Sequence, residues 1–103
     1  MTIWIFDSQA RPGDDRRFEQ WKRDNPNGFI LNTHRDAEYD YAKIHRVGCP
    51  SSEYAAGSTS ETPFTGEVQI KVCSDESRQE LVDWLAQNRA RATGNLFCQR
   101  CNP

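Results

Sequence analysis

Val68-Gln69-Ile70-Lys71-Val72-Cys73-Ser74 is the stretch that decides the fold. Val68, Ile70 and Val72 alternate with Gln69, Lys71 and Cys73, the period of a strand with one face in a core. Downstream, Ser74 or Ser77 is placed to cap a helix, and Ser77 with Glu80 three residues on fits a capping box. Leu81, Val82, Trp84 and Leu85 then supply the apolar face of a helix, and Gly94 within Thr93-Gly94-Asn95 is its expected left-handed stop. Upstream lie two more strand candidates, Phe29 to Thr33 and Tyr39 to Val47, joined by a loop or hairpin over His34 to Glu38.

Further towards the start, Ile3 to Phe6 reads as a short strand or arm, and Pro12-Gly13 breaks the chain after it. Asp14 or Asp15 is placed to cap a helix that runs to about Asp24, with Phe18 and Trp21 on one face. Pro26 biases Asn25 away from the helical region, and Gly28 tolerates a positive φ, so Asp24 to Gly28 is expected to stop the helix. The order β-α-β-β-β-α predicts an α+β fold: a small antiparallel sheet of three to four strands packed by two helices. Residues 1–103 fit a single domain, with a Ser/Thr/Gly-rich stretch over about 50–66 expected as a mobile surface loop.

Hydrophobic residues make up 36 % of the chain, a thin core for a domain that buries only about two-thirds of its unfolded surface. Such a domain needs a staple, and its 4 cysteines supply one. No apolar run approaches the length of a membrane span, and Asp7 cuts short the apolar start before it can form a signal peptide. The expected compartment is therefore the cytoplasm, where thiols serve as metal ligands or core residues in preference to disulfides. A net charge of −2 gives no global field for nucleic acid.

Cys98-Gln99-Arg100-Cys101 has the C-x-x-C spacing with which a knuckle-shaped turn grips one tetrahedral ion. Cys49 follows Gly48 where a strand stops and is free to turn towards such an ion. Cys73 alternates away from the apolar face of its strand. The preferred ligand set is thus Cys49, Cys73, Cys98 and Cys101 around a structural Zn2+, with His45 in place of Cys73 as the alternative. Four protein ligands close the site, which argues for a structural ion and against catalysis. Redox chemistry at C-x-x-C favours a pair that opens a helix after a strand, and here the pair follows a helix.

Arg35, Arg46 and Arg100, with Tyr39, Tyr41 or Tyr54, are the candidate ligand-binding residues: guanidinium groups for phosphate and rings for stacking on a base. His34 and His45 are the only histidines and would have to converge to serve as acid and base in a small nuclease or toxin.

Trp21-Lys22-Arg23-Asp24-Asn25-Pro26-Asn27-Gly28-Phe29-Ile30-Leu31-Asn32, Ile44-His45-Arg46-Val47-Gly48-Cys49, Lys71-Val72-Cys73-Ser74 and the closing C-x-x-C together resemble a small bacterial Cys-rich module associated with nuclease, restriction or phage-defence proteins. The resemblance implies that His45, Cys49, Cys73, Cys98 and Cys101 act together. The expected function is a zinc-stabilised, non-catalytic binding module for nucleic acid or a modified nucleotide in a defence setting. The alternatives are a protein–protein interaction regulator, with Ile3-Trp4-Ile5-Phe6 as its exposed edge, and the histidine-dependent nuclease.

Overall fold

The computed structural model describes residues 3–50, 63–66, 68–89, 92 and 96–103. Its elements run β1 (Ile3–Phe6), α1 (Asp14–Asp24), β2 (Phe29–His34), β3 (Ala42–Arg46), β4 (Gln69–Ser74) and α2 (Arg78–Asn88). The strands form one 4-stranded sheet in the order β1-β4-β2-β3, and every neighbouring pair is antiparallel. The α+β architecture expected from the alternation is therefore the one observed.

The sheet is buried on both faces, each by one helix. Paired residues share a face, so the register sorts the side chains. Trp4, Cys73, Ile30 and His45 form a row across the strands, and Ile5, Val72, Leu31 and Ile44 form the next row on the opposite face. The Val72 row packs with Ile70, Ala42 and the α2 residues Leu81 and Leu85. The Cys73 row packs with Phe6, Phe64 and the α1 residues Phe18 and Trp21. A two-sided sheet explains why β4 carries both Val72 and Cys73 at 0 % exposure: α1 covers the face that alternation alone assigns to solvent.

Several local expectations change for physical reasons. The N-cap of α1 is Gly13, at φ 90, and makes no side-chain cap bond. Asp14 and Asp15 lie inside the first turn, where the helix dipole favours them, and their carboxylates reach outward. Asp14 accepts the Asp7 N–H and pairs with Arg11 and Arg17 at 2.9 and 2.8 Å. Asp15 accepts the Phe64 and Thr65 N–H groups and the Thr65 hydroxyl. Residues 63–66, expected in the mobile loop, are thus docked on α1 with Phe64 and Thr65 buried, while 51–62 lie outside the described residues.

Gly28 is required for space, not for φ. A Cβ there would stand 2.8 Å from Trp21 Cη2 and 3.1 Å from the Ser74 carbonyl. Ser77 caps α2 as expected and accepts the Gln79 N–H, but the helix ends at Asn88 with Arg89 as its cap. Residues 93–95, including the predicted Gly94 stop, lie outside the described residues. Lys71, facing α1 at 0 % exposure, donates to Asn32 Oδ1 at 2.7 Å, which spares a buried ammonium from a purely apolar setting.

Candidate metal centre

β3 is an edge strand, and the tail of the chain covers its outer side. Ile44 N–H donates to the Leu96 carbonyl at 2.7 Å, and Cys98 N–H donates to the Ile44 carbonyl at 2.9 Å, a parallel bridge of Ile44 with Phe97. The bridge turns Phe97 to the α2 face with Ile44. Cys98, the next residue, must then face the other way, to the side of His45. Beyond it the chain reverses, with Asn102 at φ 48 donating its N–H to the Cys98 carbonyl at 3.1 Å, and this turn brings Cys101 back to β3. The Arg46 N–H reaches Cys101 Sγ at 3.3 Å.

Cys49 arrives from the other direction. After β3 the chain turns at Gly48, whose φ of 93 a side chain would strain although nothing lies within 4 Å of its Cβ position. Cys49 N–H closes that turn on the Arg46 carbonyl at 3.1 Å. The ligand atoms of His45, Cys49, Cys98 and Cys101 consequently lie within 4.8 Å of one another, a set able to hold a metal ion. Cys49 Sγ and Cys98 Sγ are 3.9 Å apart. A tetrahedral ion with metal–sulfur bonds of about 2.3 Å requires sulfur pairs about 3.8 Å apart, so the spacing suits one.

His45 gives an independent test of fit. It is 3 % exposed, and neither ring nitrogen has a hydrogen-bond partner among the described residues. A buried imidazole left so costs stability, which a bond from one nitrogen to an ion would offset. Burial, followed by the positive charges of Lys71 and Lys43, pushes its pKa down to about 4. The ring is therefore neutral at physiological pH, the form that ligates. Around Cys98, burial alone would raise the thiol, but the backbone N–H groups of Cys101 and Arg100 outweigh it and lower its pKa. Burial also raises the Cys101 thiol, to about 11, and the neighbouring sulfurs of Cys49 and Cys98 add to the rise. A cation among these sulfurs would reverse that repulsion.

The structure thus brings together Cys49, Cys98, Cys101 and the alternative ligand His45. It does not bring Cys73, which is a core thiol among Phe6, Phe18, Trp21, Ile30 and Phe64, and whose burial raises its pKa well above the ordinary thiol value. His45 and Cys73 flank Ile30 in the same row, so both point away from the Val72 face. What separates them is strand order: β3 lies at the edge where the tail docks, and β4 lies inside the sheet.

The candidate ligand-binding residues are dispersed. Arg35 follows β2, and Arg46 stands opposite Phe29 at the other end of that strand, roughly 20 Å away at about 3.3 Å per residue. Arg35 is engaged with Asp7 at 2.7 Å. Arg46 bonds the carbonyls of Cys101 and Asn102 and lies 5.8 Å from the Phe29 ring centre, so it clamps the tail. Nothing in the spacing announced this clamp, nor that of Arg78, which donates to the Pro103 backbone oxygen and covers the Phe97 ring at 5.2 Å. The Arg100 side chain is exposed and makes no hydrogen bond or ion pair among the described residues. Tyr39 stacks on His34 at 4.0 Å, Tyr41 is 44 % exposed, and Tyr54 lies outside the described residues. His34 and His45 are separated by roughly 13 Å of sheet, since His45 stands opposite Ile30. His34 Nδ1 is already occupied by the Asp36 N–H. The two do not form an acid–base pair.

Among the described residues no helix is long and apolar enough to cross a membrane. Comparison with protein-family models, with curated proteins and with solved structures finds no match to this chain.

Proposed function

We propose that the chain is a zinc-stabilised, non-catalytic binding module in which one ion, held by His45, Cys49, Cys98 and Cys101, fastens the tail to the edge of the sheet. The observation that carries this reading is the convergence of three thiols on a buried imidazole whose nitrogens have no other partner among the described residues. Thiolate and imidazole donors suit Zn2+, and four protein ligands leave it no open position for substrate. Removing the ion with a chelator should lower the melting temperature and loosen residues 96–103, and added zinc should restore both. An unchanged melting temperature would count against the reading.

A specific observation favours a protein as the ligand. β1 is the other edge of the sheet, Ile5 is 38 % exposed, and an open groove of about 780 Å³ runs beside it, lined by Ile3, Trp4, Ile5, Phe6, Arg11 and Arg17. An extended partner segment adds there as a strand by displacing the Arg11 side chain, which donates to the Ile5 carbonyl and pairs with Asp14 at the groove's wall. Ile5→Glu should then abolish capture with the fold intact; undiminished capture would exclude this edge. For nucleic acid in a defence setting, the support is narrower and consists of Arg100 and Tyr41, both exposed. That version requires binding that weakens steeply with salt.

A further inference from the structure

The three sulfurs of the centre differ in exposure and in attachment. Cys49 is 4 % and Cys98 is 7 % exposed, whereas Cys101 is only half-buried. Cys49 is fixed to the body by the turn that follows β3. Cys98 and Cys101 both belong to the tail, on one short turn closed by the Asn102 N–H. A dissolved oxidant therefore meets Cys101 first, and Cys98, which shares its short turn and lies within 4.8 Å of it, can close on it without tying the tail to the body.

We propose that the metal centre is a peroxide-responsive latch: oxidation joins Cys98 to Cys101, the ion leaves, and the tail lets go of β3. The inference rests on the metal reading above. In the first step the Cys101 sulfur attacks a peroxide oxygen. An S–O bond forms, the O–O bond breaks, and the departing hydroxide takes up a proton to become water. In the second step the Cys98 sulfur attacks Cys101. An S–S bond forms, the S–O bond breaks, and a second hydroxide leaves and is protonated. Two thiolates have then lost two electrons to one hydrogen peroxide, with two protons consumed and two waters formed. Only His45 and Cys49 remain for the ion, too few for a closed zinc site.

The choice of disulfide decides the outcome. A bridge between Cys98 and Cys101 lies within the tail and ties it to nothing else. A bridge from Cys49 to either would fasten the tail to the body more firmly than the ion does. Without the ion, the holds that remain on the tail are the pair of bonds at Ile44, the clamps from Arg46 and Arg78 and the packing of Leu96 and Phe97, and these open more readily. The Ile44 N–H and carbonyl are the edge groups that release exposes.

The test uses the full chain loaded with zinc, its metal content measured before any oxidant is added. Hydrogen peroxide is then titrated in, freed zinc is followed with a chromogenic chelator, disulfides are mapped by mass spectrometry, and amide exchange is read at Ile44 and Cys98. The expected result is zinc release in step with a Cys98–Cys101 disulfide and faster exchange at both amides, reversed by a dithiol reductant with zinc. Zinc retained under excess peroxide, a disulfide that includes Cys49, or release with unchanged exchange would each overturn the latch. A chain that takes up no zinc before oxidation would overturn the metal reading, and the latch with it.

Discussion

At the scale of single residues, His45 and Cys73 show how little separates a ligand from a core side chain. Each lies on the α1 face beside Ile30, and each is buried. Their chemistry would suit either role, and the tail's position selects one of them. Cys73→Ala should therefore leave metal content unchanged while loosening the core, and Cys98→Ser should lose the ion; elemental analysis of the two variants checks this. Asp14 carries a different kind of consequence. Burial would raise its pKa, but the Asp7 N–H and the guanidinium groups of Arg11 and Arg17 outweigh burial and hold it below the ordinary 3.8. A carboxylate depressed in the folded state stabilises above its unfolded pKa, and that contribution is lost as pH falls through the folded value. Denaturant melts should therefore show Asp14→Asn less stable than wild type near neutrality. The variant should also lose less stability than wild type on going from about pH 4 to about pH 2.

At the scale of elements, the close approach of α1 to the sheet depends on Gly28. Gly28→Ala sets a methyl group against the Trp21 ring and the Ser74 carbonyl, and only the ring can give way. Overpacking of this kind costs about 1–3 kcal/mol, readable as a shift in the denaturation midpoint. Ser77→Ala removes the bond to the Gln79 N–H that starts α2 and should cost about 1 kcal/mol by the same measure. These elements were legible to different degrees. The alternation of Val68 to Cys73 and the apolar spacing of Phe18 with Trp21 or Leu81 with Leu85 placed strands and helices directly. The turn at Gly28 was placed correctly for the wrong reason, because a positive φ can be guessed from a Pro-Asn-Gly run whereas a clash with Trp21 depends on tertiary packing.

Across the whole molecule, a thin core is divided between two faces of one sheet, and the last residues reach it through Leu96 and Phe97. The tail is held by a parallel bridge, by Arg46 and Arg78, and by the proposed ion. Much of the centre was visible in the chain: a C-x-x-C pair, a Cys49 set free by Gly48, and a histidine four residues before it. The hidden part was long-range. Strand order decided between His45 and Cys73, and the antiparallel register of β2 with β3 set Arg35 at the opposite end of that pair from Arg46, dispersing the surface that the arginines suggested. Sequence spacing carries no record of such order, because antiparallel strands of similar length pair in more than one arrangement. The most direct measurement is the zinc content of the purified chain, read together with the reactivity of its thiols before and after chelation. The account predicts zinc in equal molar amount to protein, with Cys49, Cys98 and Cys101 protected until the ion is removed. Protein free of metal, with those thiols reactive from the outset and the tail no less ordered, would contradict it.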